Sequence, residues 1–285
     1  MGNVIDLPYF DLLLANREEA AAKVFSRYVH WGYWEDPSSA TLDLEEFAAA
    51  MDRLNDEVLA GGDLADGQAI LDAGCGFGGT LGSLKARFPK ARLTGVNIDP
   101  RQLTLARLAV PGVEFVEGDA CALPFPDGSF DRALAVECIF HFPSRAKFLK
   151  EAARVLKPGG MLSLSDFVPA STSGHGGPVG RWLEAQIAKG YGKSGDGWKD
   201  GGYAEMAAAA GLEIVLDRDV TAETLPTYPI LLGLIKSRSL EGPEGRMLWP
   251  TRLLMWLSNL RIVRYRIVAF RKSAASRPAR SSAQP

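Results

Sequence analysis

Leu71-Asp72-Ala73-Gly74-Cys75-Gly76-Phe77-Gly78-Gly79-Thr80 is an apolar run that ends in a carboxylate and enters a glycine-rich turn. Ahead of it, Gln68-Ala69-Ile70-Leu71 reads as a short buried strand, and behind it residues 80–88 carry the apolar spacing of a helix. A strand, a glycine turn and a helix in that order make a ligand cradle. Glycines at 74, 76 and 78 keep side chains off the turn, so a flat ligand can lie against the backbone and meet N–H groups at a helix start. The spacing of Gly74, Gly76 and Gly79 also fits a turn that seats a dinucleotide pyrophosphate, and glycines can serve close helix–strand packing alone. Asp72, two residues before the first glycine, separates the ligands: it faces a pyrophosphate with like charge but suits a ligand with an ammonium group. S-adenosylmethionine (SAM) has one.

Further strands follow on the same plan. Arg92-Leu93-Thr94-Gly95-Val96-Asn97 is a second strand, and Pro100 opens a helix to residue 108. A ribose-binding acid usually ends such a strand; here Asn97 holds the position, with Asp99 and Gln102 close behind, and an amide can also bond vicinal hydroxyls. Residues 113–117 form a third strand ending at Gly118-Asp119, whose carboxylate suits an adenine amino group. Residues 130–136 are the fourth strand, leading to Glu137 and His141. Ser144 caps a helix to residue 156, Lys157-Pro158-Gly159-Gly160 closes it, and residues 161–165 are a fifth strand followed by Asp166. A helix at 203–210 and strands at 212–220 and 265–270 complete the series. Strands alternating with helices mean a parallel sheet.

The flanks are less regular. Residues 8–28 read as one or two amphipathic helices and residues 41–60 as another, capped by Thr41 or Asp43. Between them, Tyr28-Val29-His30-Trp31-Gly32-Tyr33-Trp34 concentrates aromatics around a glycine. It either staples the N-terminal helices to the domain or lines the site, since aromatic faces attract a sulfonium cation. Residues 171–177 are a lid or a linker. Residues 225–263 are unusually apolar, with Arg246, Arg252, Arg261 and Arg264 interleaved; such a segment packs on the sheet, roofs a greasy pocket or lies on a membrane.

Composition bounds the classes. A chain of 285 residues, 47% apolar, can bury one large α/β core. A net charge of −2 with mixed signs argues against a nucleic-acid platform. Cys75, Cys121 and Cys138 are odd in number and widely spaced, so neither a disulfide framework nor a metal site is expected, and a reducing cytoplasm fits. The first residues lack a secretory n-region, and no run reaches membrane-spanning length without charge.

Several separated motifs together resemble the class I SAM-dependent methyltransferases over residues 28–272. Asp72-Ala73-Gly74-Cys75-Gly76-Phe77-Gly78 is similar to their first motif, Leu123-Pro124-Phe125-Pro126-Asp127-Gly128-Ser129-Phe130-Asp131 to the segment before their fourth strand, and Leu156-Lys157-Pro158-Gly159-Gly160 to the turn before their fifth. The resemblance implies that Gly74, Cys75 and Gly76 back the methionine part of SAM, Asp72 serves its amino group, and Asn97, Ile98 and Gln102 meet the ribose edge. It implies further that Asp119 and Ala120 meet the adenine and that Glu137 sits at the cofactor's edge. His30-Trp31-Gly32-Tyr33-Trp34 resembles the N-terminal signature of a subgroup acting on natural-product sugars, tocopherols and sterols, with Tyr33 at the cofactor. The sugar O-methyltransferases of that subgroup have a His after the fourth strand and an Asp after the fifth, matched here by His141 and Asp166 as a catalytic pair.

The expected architecture is therefore a Rossmann-like, doubly wound, seven-stranded, mostly parallel sheet with a helical N-terminal lid and a cap insert. Residues 1–60 are the expected lid, with Tyr33 and Trp34 folding over the cofactor. Residues 61–272 are the methyltransferase domain, with cap segments 169–210 and 221–263, and residues 273–285 a disordered tail. The expected activity is SAM-dependent methylation of a small, partly or largely apolar acceptor in secondary metabolism, on oxygen before carbon. Residues 246–264 are a candidate membrane contact and a homodimer a candidate assembly. A nicotinamide oxidoreductase and a non-catalytic SAM-binding module are the rivals.

Overall fold

The computed structural model describes residues 24–170, 177–192, 195, 202–237 and 245–274. Seven strands, β1 Ala69–Ala73, β2 Arg92–Asn97, β3 Glu114–Glu117, β4 Phe130–Ala135, β5 Leu156–Pro169, β6 Leu212–Asp219 and β7 Val263–Lys272, form one sheet in the order β3-β2-β1-β4-β5-β7-β6. The first five run parallel, and β7 is antiparallel between β5 and β6. The helices are α1 Leu44–Ala60, α2 Gly79–Arg87, α3 Pro100–Ala109, α4 Arg145–Val155, α5 Pro178–Tyr191, α6 Tyr203–Ala210, α7 Thr221–Thr224, α8 Thr227–Ser237 and α9 Gly245–Asn259.

All five residues of β1 are buried, as a strand covered on both faces requires. Successive side chains take opposite faces. Ile70 joins Leu81, Leu84 and Leu103 from α2 and α3, while Leu71 joins Phe148, Leu149 and Ala152 from α4. The strand order reverses between β1 and β4, so the crevice at their carboxyl ends is the topological switch point where such sheets bind ligands.

One expectation changes here. Strand β5 runs from Leu156 to Pro169, well beyond the expected 161–165, because β7 pairs with it from Met161 to Pro169; Asp166 thus lies within the strand, opposite Arg266. Helix α1, within the expected lid at 1–60, packs against β5 and β7. Asp43 caps it through Glu46 N at 2.7 Å, Phe47, Ala50, Met51, Leu54 and Val58 are buried, and Ser163 Oγ donates to Val58 O at 2.6 Å. Helix α6, within the expected cap segment 169–210, covers the sheet through Tyr203, Met206 and Ala207. The expected N-terminal helix before residue 24, the lid or linker at 171–176 and the tail after residue 274 lie outside the described residues. Among the described residues no helix is long and apolar enough to cross a membrane.

Candidate active site

The carboxyl ends of β1 to β4 open into one cavity. Asp72, Gly74, Cys75, Gly76, Asn97, Ile98, Gln102, Asp119, Ala120, Glu137 and His141 all line it. The turn after β1 is held by Gly74 N and Cys75 N, which donate to Val96 O at 2.8 and 3.0 Å. Gly74, Gly76 and Gly78 take φ of +78°, +52° and +82°, a region side chains resist. A Cβ on Gly74 would lie 2.7 Å from Cys138 Sγ. At Gly76 the nearest atom to a Cβ is Gln102 Oε1, 3.8 Å away, so a side chain there would enter the cavity. At Gly79 a Cβ would lie 2.2 Å from Arg27 O and 2.8 Å from the Tyr28 ring; the chain at 27–28 closes onto the start of α2.

Asp72 is buried, and burial alone pushes its carboxyl from 3.8 up to about 7. Among the described residues no donor or cation offsets that cost. A carboxylate buried without a partner is what a cationic ligand completes, and the ammonium group of SAM fits it. At the end of β2, Asn97 Nδ2 donates to Gln102 Oε1 at 2.9 Å while Asn97 Oδ1 accepts from Asp99 N at 3.1 Å. This amide pair keeps the Gln102 NH2 group for a ligand hydroxyl. Asp99 itself is engaged by Arg101, whose guanidinium and backbone N–H hold its carboxyl below the usual range despite burial. Asp119 Oδ1 accepts from Cys121 N at 2.8 Å.

Glu137 sits at φ +50°, with Oε2 accepting from Trp31 N at 2.7 Å; burial pushes its carboxyl well up. This bond ties the segment before α1 to the end of β4. It also sets two neighbours on opposite sides: His30 lines the first cavity, and Trp31 a second. His30 Nδ1 lies 2.8 Å from Trp31 O, an acceptor, so Nδ1 carries the proton and Nε2 offers a lone pair. Burial lowers this imidazole to about 4, so it is neutral at physiological pH.

The second cavity is walled by Trp31, Phe140, Phe167, Tyr191 and apolar residues of α5 and α9, among them Leu183, Ile187, Leu254 and Leu257. Trp31 stands edge-on to Phe167 and Tyr228 at ring separations of 5.2 and 5.8 Å. His141 lines both cavities. It ends a 3-10 turn, Ile139–His141, with its N–H on Cys138 O at 2.9 Å and its ring 4.3 Å from that of Phe140.

Two expected site residues lie elsewhere. Asp166 lines neither cavity. Its oxygens accept from Arg145 Nε and Nη2 at 2.7 and 3.0 Å and from the Tyr203 hydroxyl at 2.9 Å, all in the core, because the longer β5 carries the residue inside the sheet. These bonds tie it to α4 and α6. Tyr33 turns away from the first cavity: its N–H donates to Ala50 O, its carbonyl accepts from Arg53 Nε, and the Arg218 guanidinium lies 5.7 Å from its ring. Trp34 is likewise tied to α1, stacked on Phe47 with Nε1 donating to Glu46. The aromatic stretch thus divides, residues 27–30 facing the first cavity and Tyr33 and Trp34 anchoring the helix. The spacing around Gly32 marked the stretch; no sequence signal distinguished His30 and Trp31 within it. Among the described residues no cluster of three or more His, Cys, Asp or Glu could hold a metal.

Residues 71–164 match the family model described as a methyltransferase domain. Methyltransferase GfsG of Streptomyces halstedii is 33% identical over 225 residues, 75% of this chain and 76% of that protein. The 27-O-demethylrifamycin SV methyltransferase of Amycolatopsis mediterranei is 32% identical over 213 residues, 72% and 74% of the two chains. Among solved structures, geranyl diphosphate C-methyltransferase from Streptomyces coelicolor A3(2), in complex with Mg2+, geranyl diphosphate and S-adenosyl-L-homocysteine, superposes with a TM-score of 0.68 at 18% identity, covering 93% of this chain and 98% of that one. The chain belongs to the class I SAM-dependent methyltransferases of small molecules. Its cofactor is SAM, and the nicotinamide and non-catalytic readings fall.

Proposed function

We propose that the enzyme methylates a hydroxyl oxygen of a small, largely apolar acceptor of secondary metabolism, with His141 as general base. The observation that carries the reading is that His141 alone among the described residues lines both the cavity of Asp72 and the glycine turn and the aromatic cavity beside it. Bound SAM supplies a methyl group on a positively charged sulfur. Asp72 would hold its ammonium group, Gly74 and Gly76 would leave room for its chain, and the Gln102 amide would meet its ribose. The acceptor hydroxyl, seated among Trp31, Phe167 and Tyr191, gives its proton to the His141 imidazole as its oxygen bonds the methyl carbon. SAM would supply the methyl carbon, its sulfur keeping the carbon–sulfur electron pair. Alignment by two adjoining walls and removal of one proton are what such a displacement needs. The relative named for 27-O-demethylrifamycin SV supports an oxygen acceptor from natural-product chemistry. Cys75, Cys121 and Cys138 form no disulfide, which supports a reducing, cytoplasmic setting.

Labelled SAM, offered with a panel of apolar alcohols and phenols, tests this reading. His141→Ala is expected to lower kcat by roughly 10²–10⁴-fold with SAM affinity nearly intact. Single-turnover methylation by His141→Ala at the parent rate rejects the base assignment.

A further inference from the structure

Helix α9 has two faces. Leu253, Leu254 and Leu257 are buried, whereas Arg246, Trp249, Arg252 and Trp256 recur at spacings of three, three and four and are all exposed, so they share one solvent stripe. Trp249 and Trp256 show 54% and 56% of their surface. Residues 245–264 contain four arginines and no acid. Arg261 and Arg264 are answered by Asp219, but Arg246 and Arg252 have no ion-pair partner among the described residues.

Helix α5 lies antiparallel against α9. Its last residue, Tyr191, bonds Thr251 at 2.8 Å, and its first turns share the aromatic cavity with Leu257 and Ile262. Trp182 of α5, 53% exposed, therefore falls at the same end as Trp256 and Leu260. Ile262 is 40% exposed and also lines the cavity, so the apolar patch begins at the cavity mouth. A patch of this kind marks an interaction surface.

Its chemistry selects the partner. Tryptophan, with an apolar body and one N–H donor, suits the boundary between hydrocarbon and water, and unpaired arginines suit lipid phosphates. A two-fold contact with another copy would bring the α9 stripe, which holds no acid, against itself, arginine facing arginine. We propose that this face of α5 and α9 docks on an anionic lipid bilayer, lying in its interface, so that the aromatic cavity opens toward the membrane. At about 22 Å, α9 is too short to span it. An apolar acceptor dissolved in the bilayer then reaches the cavity without crossing water. The docking itself does not depend on the methyl-transfer reading.

The test is flotation of the full chain with vesicles of phosphatidylcholine alone and of phosphatidylcholine and phosphatidylglycerol in equal parts. The protein should float with the mixed vesicles, far less with phosphatidylcholine alone, and be released by salt. The double variants Trp249→Ser/Trp256→Ser and Arg246→Glu/Arg252→Glu should each reduce partitioning by on the order of tenfold or more. Their circular dichroism and their SAM affinity by calorimetry should match the parent, which separates this result from the fate of the cofactor reading. Absence of flotation, flotation unchanged by both variants, or a dimer by light scattering that the same variants dissociate would each overturn the proposal.

Discussion

The two cavities that meet at His141 are built from different materials. The first is backbone and carboxylate: glycines at positive φ, strand ends and the buried Asp72. The second is side-chain surface, aromatic rings and leucines drawn from α5, α9, β5 and the segment before α1. A ligand that must lie against a turn imposes demands on backbone that few residues meet, whereas a cavity left between helices asks only for apolar bulk. The same contrast separates two buried aspartates. Asp72 lines a cavity without a partner, and Asp166, bound to Arg145 and Tyr203, belongs to the core.

Ways to break that contrast begin with its largest effect. Asp166→Ala removes the buried carboxylate that accepts two hydrogen bonds from the Arg145 guanidinium and is expected to destabilise the fold by about 3–5 kcal/mol, read by chemical denaturation. Full stability with lost turnover would return Asp166 to the active site. Asp72→Asn should do the opposite. In the folded protein Asp72 holds its proton up to about 7, against 3.8 in the unfolded chain, so its contribution to cofactor-free stability is present below 3.8 and lost as pH rises through 7. The loss amounts to about 4 kcal/mol once the group is ionised. The amide escapes it, so Asp72→Asn should melt higher than the parent at pH 8 without cofactor, seen by scanning calorimetry. An unchanged or lower melting temperature would mean that Asp72 has a partner.

Smaller effects sharpen the second cavity. Leu254→Ala and Ile187→Ala should raise KM for an apolar acceptor by roughly tenfold each, the worth of one or two buried methylenes, with little change in SAM affinity. Tyr33→Phe should change neither SAM affinity nor kcat by more than about twofold, since its ring lies beside Arg218.

The sheet was legible because its strands carry period and punctuation. β2 and α6 fall on the residues expected, and the glycine turn follows β1 as its spacing required. The far end of β5 was illegible because it is set by its partner: nothing local in Ser165-Asp166-Phe167 reveals that β7 extends the ladder to Pro169. The surroundings of Tyr33 were illegible for a related reason. Which aromatics of residues 28–34 face the cavity depends on α1, where Ala50 leaves room for Gly32 and Trp34. The cavity of α5 and α9 was hardest to read, because apolar helices that roof a pocket and apolar helices that cover a sheet have the same composition.

The central claim is that Asp72 and the glycine turn receive the cationic end of SAM. Calorimetric titration of the parent and of Asp72→Asn with SAM at pH 6 and pH 8 tests it most directly. Asp72 is largely protonated at pH 6 and ionised at pH 8, so the parent affinity should rise about tenfold between them. Asp72→Asn should bind about ten- to a hundredfold more weakly at pH 8, with no such rise. Equal affinities for the two proteins, flat across both pH values, would contradict the account.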